Sequence, residues 1–471
     1  MRKGKKWMAA LGAAALVMAG LTGCGGSQTA QTTGPSQTEQ KTEAAKETSA
    51  GETSAAATEE TKNVNDDGTV NNPDQVEVDA NKLVMWSLFS GGDGGFMNQM
   101  IENYNGTNPT KQVQSIMLVW ADYYTKLQTG VAAGKGPDIG ISHASSLPQL
   151  VEDGVVQPIT PYLDELGIKL SDHYSQASID AVTFDGEVYA VPLDTHAEIM
   201  YFNKDILEKA GVSLNADGAV DIKSVDDFYA VCDKIKAVIP ADGSTIAITN
   251  NGDDPYRLWW ATYFQMGGAP IVSGDGKTVT LDKEKAVKAA EFVKGLYDKG
   301  YVAEGIDDHQ KFFQGGKAGI CIGGTWAVGA FEQTENLHFV PMAFPRLFET
   351  DSCWADSHTF ILPTKKSRSE ADSKAAVEFM VAASMKEGAT WAGSGQIPAC
   401  KEVLASDAYK ALPYRSSYMS EVEKAVLPAK VPTFNGMKKG MIDSLDTIWT
   451  GKGDAASGID ALYDELESNL P

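Results

Sequence analysis

The chain has 471 residues, more than one core usually holds, so two or more domains are expected. Hydrophobic residues make up 43% of it and nine tryptophans are present, ample for packed lobes. A formal net charge of −23 argues against a nucleic-acid partner and against an electrostatic dock on anionic lipid, since both need Lys and Arg; solubility alone accounts for it.

At the N-terminus, Arg2, Lys3, Lys5 and Lys6 precede a small-residue apolar run over 8–21, too short to span a bilayer. The run ends at Leu21-Thr22-Gly23-Cys24, which is similar to the bacterial lipobox, where the peptide is cut before the cysteine and the thiol is lipidated. Residues 1–23 are therefore expected to be a lipoprotein signal peptide and Cys24 the lipid-bearing residue; the alternative is a soluble export signal cut elsewhere. Residues 24–81 carry no aromatic, Leu or Ile, cannot bury enough surface to fold, and are expected to form a flexible tether. Some 55 residues of such coil reach roughly 40 Å.

Order is expected from Lys82-Leu-Val-Met-Trp86, a strand, followed by the glycine-rich loop 87–95 and a helix through Met97, Met100, Ile101 and Tyr104. A strand over 113–119, a helix over 123–131 and a short strand over 139–142 follow. This β-α-β-α-β order predicts a mostly parallel sheet with its ligand-facing loops at the strands' carboxyl ends, 87–93 and 142–146. Asp138, after Pro137 at a strand edge, reads as a turn or cap residue.

The segment 189–207 is the pivot. Its strand is broken by Pro192, shows Asp194, Thr195, His196 and Glu198, resumes as Ile199-Met-Tyr-Phe202 and enters a helix capped by Asn203. Such a segment can cross between lobes beside a cleft. Further on, Ser224 caps a helix to Lys236, residues 246–249 are a strand, and residues 255–265 a Trp- and Tyr-rich helix. Residues 274–276 turn a hairpin, and residues 286–297 form an amphipathic helix. A second polar crossing falls at 354–361, helices are predicted over 371–383 and 459–466, and two crossings imply lobes that exchange strands. Cys232, Cys321, Cys353 and Cys400 show no CxxC pair and no metal spacing; Cys232 and Cys321 read as core thiols, and spacing leaves any pairing open.

Six motifs recur in one order: Leu83-Val-Met-Trp86, Gly136-Pro-Asp-Ile139, Asp185-Gly-Glu-Val-Tyr-Ala-Val-Pro192, Tyr201-Phe-Asn-Lys-Asp205, Gly316-Lys-Ala-Gly319 with Gly324-Thr-Trp326, and Gly395-Gln-Ile-Pro398. On these the chain resembles the extracellular solute-binding proteins of the carbohydrate class, which feed ABC importers and include the maltose- and multiple-sugar-binding proteins. The resemblance implies an α/β fold of two lobes, periplasmic-binding-protein-like (type II), joined by crossing hinge strands. It places lobe 1 at 82–193 plus 359–395 and lobe 2 at 194–358 plus 396–471. It also implies a mono- or oligosaccharide ligand, ABC permease subunits as partners, a monomer, contact with membrane only through the lipid, and a location on the outer face of the bacterial cytoplasmic membrane.

Carried over position by position, the resemblance puts Ser90 and Asp93 after the first strand, and His143 and Ser145 after the third, within reach of sugar hydroxyls. Asp194 and His196 fall on the hinge, Trp326 where relatives stack a sugar ring, and Asp356 and His358 on the return crossing. Aromatic faces cover a sugar's C–H patches, so Trp86, Tyr256, Trp259, Trp326 and Trp354 are candidate walls. Asp accepts two hydroxyl bonds, each about twice as strong as a neutral one. His143, Ser145 and His196 depart from the maltose-binding pattern, so the sugar's identity stays open.

No catalytic residue, metal site or cofactor is expected. Residues 274–278 carry only the tail of a phosphate loop, with Ile271 where its first glycine belongs. A polysaccharide-acting enzyme with two carboxylates, or a surface binder without import, remain the alternatives.

Overall fold

Residues 63–471 are described by the computed structural model; the expected signal peptide, Cys24 and the first part of the tether lie outside them. The first segments follow the predicted alternation. Strand β1 (Leu83–Ser87), a helix at Gly94–Gly106, β2 (Val113–Met117), a helix at Tyr123–Ala132 and β3 (Gly140–His143) come in that order. Strands β1 and β2 pair in parallel, Leu83 opposite Val113, and Met85 bridges Ile139 in parallel. Asp138 is structural: its Oδ2 accepts from the Val84 N–H at 2.9 Å and its Oδ1 from Lys365 at 2.8 Å.

Strand β4 (Ala190–Pro192) ends at the proline, and β5 (Asp194–Asn203) starts two residues on. Nine of the ten β5 residues are buried, because it lies at the centre of the largest sheet. Strands β6 (Ser244–Ala247), β7 (Ala318–Gly324), β8 (Phe339–Ala343), β9 (Cys353–Asp356), β10 (His358–Ile361), β11 (Ile397–Pro398) and β12 (Ala425–Val426) complete the sheets. The order β12-β9-β5-β7-β6 runs across the large sheet, with β8 and β11 also on β5; β3-β10-β4 form another. The Asn203 side chain caps the next helix, accepting from the N–H groups of Asp205 and Ile206 at 3.1 Å each.

The strand period of two sorts β5 between two apolar clusters. Met200 and Phe202 pack with Trp259, Trp260, Ile320 and Met441, whereas Ile199 and Tyr201 pack with Phe313, Phe331 and Phe339. A separate core holds Met85, Ile141, Val191, Phe360, Phe379 and Trp391. The chain passes between these cores at Leu193 and at Ser357, and again at β11, where Ile397 and Pro398 pair with Thr195 and Asp194.

Two expected boundaries move. Order is present well before residue 82: Val70 is buried and its N–H donates to the Met117 carbonyl at 2.8 Å, while Asp67 fastens a turn through Thr69. An edge addition of this kind needs backbone groups and one valine, so composition gives no sign of it. Likewise Cys400 and Val403, expected in the second lobe, pack in the first core, because the chain returns there after β11. The hairpin at 274–276 reduces to a bridge between Val272 and Val279. The four cysteines at 232, 321, 353 and 400 are free and buried. Among the described residues no helix is long and apolar enough to cross a membrane.

Candidate functional site: a cavity beside the crossing strands

Three chain passages in one place leave a cavity of about 400 Å³, within the usual range for small-molecule sites, about 300–1,000 Å³. The loops at the carboxyl ends of β1 and β3 line it through Ser90, Asp93, His143 and Ser145, which is where a parallel sheet offers ligand contacts. From the other cores come His196, Trp326, Trp354 and Asp356, with His358 at the head of β10. Nine of the residues singled out in the sequence therefore meet here.

Strand register does the gathering. In the antiparallel pairs, His358 lies opposite His143 and Asp356 opposite His196, which sets three imidazoles ring to ring. The His196 and His358 rings stack at 4.1 Å between centroids, and His143 sits 4.8 Å from His358 and 5.4 Å from His196. Ser145 donates its hydroxyl to Asp356 Oδ2 at 2.5 Å, fixing the loop after β3 to β9.

Trp326 stands almost perpendicular to Trp354, at 88° and 6.4 Å between centroids. Its ring folds back over its own turn, which only a glycine permits: a Cβ on Gly324 would come within 1.8 Å of the indole. The Arg257 guanidinium lies over both indoles, 5.0 Å from Trp326 and 4.7 Å from Trp354, a cation–π arrangement. Asp254 holds Arg257 from one turn earlier at 3.0 Å.

Four expected residues, Trp86, Asp194, Tyr256 and Trp259, do not line the cavity. Trp259 and Tyr256 are fully buried, the indole N–H of Trp259 donating to the Ala286 carbonyl at 3.1 Å. They lie on the apolar face of their helix, whereas Asp253, Asp254 and Arg257 on the opposite face reach the cavity. Trp86 is likewise a core residue, packed against Gly130. Asp194 sits behind the histidines, accepting from the His358 N–H and ring at 2.9 Å and from the Trp391 indole at 2.7 Å. Sequence reading missed Tyr124, Arg257, His309, Gln396, Asn435 and Lys438. The polar stripe Asp253, Asp254, Arg257, at helical spacing against the aromatic face, is the one signal that could have found Arg257.

Burial decides the charges. It pushes the Asp93 carboxyl up to about 6, the positive charge of His358 partly opposing it. Burial would raise Asp194 too, but His358 and the hydrogen bonds from His196 and His358 hold it well below the usual carboxylate range. Burial, and then the charge of His358, lower His143 and His196; His358 itself is raised, Asp194 outweighing its burial. Glu198, on β5 with one oxygen unbonded, is driven well above its ordinary value by burial. The arrangement is an amphipathic cleft: flat indoles and a cation on one side, imidazoles and carboxylates on the other.

Residues 99–415 match the family model described as bacterial extracellular solute-binding protein. A binding protein of Brucella abortus is 25% identical over 270 residues, 55% of this chain and 61% of that one, so the chain spans under two thirds of that relative's length. A galactooligosaccharide-binding protein of Bacillus subtilis is 22% identical, over 76% of this chain and 83% of that protein. Among solved structures, an ABC substrate-binding protein of Listeria monocytogenes in complex with cycloalternan superposes with a TM-score of 0.71 at 19% identity, covering 83% of this chain and 99% of that one. That likeness shows the fold, the type II periplasmic-binding-protein-like fold of two lobes joined by crossing strands. With two thirds of its length matched by the model, the chain belongs to the bacterial extracellular solute-binding protein family.

Proposed function

We propose that the protein captures a sugar or oligosaccharide in the cleft and hands it to an ABC importer, acting as a binder without catalysis. The observation that carries this is the pairing of perpendicular indoles, Trp326 and Trp354, with carboxylates and imidazoles across the same cavity. A sugar needs both: an apolar face for its C–H patch and charged or polar acceptors for its hydroxyls. A hydroxyl left unpaired in a dry cleft costs about 1–3 kcal/mol, enough to discriminate epimers. Oligosaccharide-binding names among the relatives point the same way. Asp93, His143, Ser145, His196, Trp326, Trp354, Asp356 and His358 are the ligand contacts, with Asp194 holding the imidazoles from behind.

In this reading Cys24 carries the lipid, and the protein works as a monomer on the outer face of the membrane, tethered by the segment that follows. The ligand biases an open–closed equilibrium, and the closed form docks on the permease.

A thermal-shift and product screen over mono- and oligosaccharides tests the function. Raised melting temperature with every sugar recovered intact supports a binder. A sugar cleaved during incubation would make the protein an enzyme, and no shift with any saccharide would remove sugar as the ligand class.

A further inference from the structure

The histidine cluster has a feature that hydroxyl binding does not require. One ring nitrogen from each of His143, His196 and His358 lies within 4.8 Å of the others. The outward nitrogens are engaged: Nδ1 of His358 and of His196 face Asp194 at 2.9 and 3.4 Å, and Nδ1 of His143 faces the Tyr124 hydroxyl at 2.7 Å. That hydroxyl oxygen already accepts the His143 backbone N–H at 2.8 Å and has a lone pair left for a ring N–H. No described residue bonds to any of the three Nε2 atoms. Carboxylate or hydroxyl behind Nδ1, and a free Nε2 in front, is the arrangement by which proteins orient imidazoles toward a metal.

We infer that His143, His196 and His358 bind one divalent transition-metal ion of the zinc class through their Nε2 atoms, with its remaining positions open to the cavity.

With the proton of His358 released as the metal enters, three neutral imidazoles with an open fourth position form a donor set that zinc, nickel, copper and cobalt accept. Zinc–nitrogen bonds of about 2.0–2.1 Å at tetrahedral angles put the nitrogens about 3.4 Å apart. The rings, whose nearest nitrogens lie within 4.8 Å of one another, must draw together to reach that spacing. No linear spacing announces the site; it exists because β3, β5 and β10 meet at the crossing. The open position faces the solute's place, so a sugar hydroxyl or a carboxylate oxygen of a sugar acid can complete the sphere. Metal binding itself does not depend on the sugar reading.

The test uses the untagged, chelator-stripped chain, titrated with Zn2+ by calorimetry and with Co2+ by visible absorption, without sugar. One ion per chain is expected, together with a ligand-field band of low-symmetry Co2+. His143→Gln and His196→Gln should each abolish stoichiometric binding. Asp194→Asn, which removes the group behind two imidazoles, should weaken it about 10–100-fold. His173→Gln, at the distant His173–Glu402 pair, should change nothing. Should the cleft variants fail to fold, X-ray absorption of the loaded wild-type chain decides, since three imidazole scatterers on the metal are required. No uptake, uptake unchanged in both histidine variants, or fewer than three imidazoles would overturn the inference. Because no saccharide is present, a negative result here leaves the sugar screen untouched.

Discussion

The indole Nε1 of Trp391 donates to Asp194 Oδ2 at 2.7 Å, so a side chain of the first core grips the first residue of the strand that enters the others. The same carboxylate answers the His358 ring at 2.9 Å, and neither oxygen meets solvent. Asp194 thus ties the crossing together and sets the charge of the cleft's histidines from behind.

Asp194→Asn should cost about 3–5 kcal/mol of unfolding free energy, the usual consequence of stripping one partner from a buried ion pair. Trp391→Phe, which leaves an acceptor short of one donor, should cost less for that bond, about 1–3 kcal/mol. Urea unfolding of both variants checks the order; an Asp194→Asn protein as stable as the wild type would contradict the part Asp194 plays in holding the crossing together.

Trp326→Ala should weaken binding of the best saccharide by about 2 kcal/mol or more, as the loss of a central aromatic anchor does. Gly324→Ala should reproduce part of that loss without touching the indole chemically, because its methyl occupies the ring's place. Calorimetry on both variants is the check; unchanged affinity in Trp326→Ala would take that residue out of the site.

Glu421 is fully buried, and its carboxyl meets the Cys353 thiol and, at 3.5 Å, Lys424 Nζ. Burial pushes its carboxyl up to about 7 from 4.5. Between those values the folded chain keeps a proton that the unfolded chain releases, so this group costs stability as pH rises through the window and no more above it. The full cost is on the order of 3 kcal/mol. Glu421→Gln should therefore gain on the wild type from about pH 4.5 to 7, then hold a constant advantage. Parallel stability profiles in the two proteins would show that Glu421 is ionised without penalty.

Much of this was legible from local rules. The Asn203 cap, the break at Pro192 and the parallel β-α-β-α-β start each depend on neighbours in sequence, and the structure has all three. Trp326, which lines the cavity, was singled out through the resemblance and not through any local rule. Trp259 and Tyr256 misled because a Trp-rich helix offers two faces, and aromatic content does not say which one is the wall. Arg257 settles it by needing carboxylates, which Asp253 and Asp254 supply one turn back. The resemblance named all three histidines but not their contact with one another, because they come from three strands and only register brings them together.

Ser146, Asn435 and Gln149 form a chain of side-chain bonds, at 3.1 and 3.0 Å, whose first two members line the cavity. Asn435→Ala should favour the open form and lower saccharide affinity by about 1 kcal/mol, the net worth of ordinary hydrogen bonds. Driving the protein from 1:99 to 99:1 closed needs about 5.5 kcal/mol of ligand preference for the closed form. Small-angle scattering should show a smaller radius of gyration with sugar than without, and an equal radius in both states would mean that nothing closes.

On the proposed function, a saccharide lies in the cavity between Trp326 and the three histidines. A crystal structure of the chain with the saccharide that raises its melting temperature most tests this directly. A sugar ring is expected against the Trp326 indole, with its hydroxyls on Asp93, Asp356 or the imidazoles. A saccharide bound elsewhere, with this cavity holding only water, would contradict it.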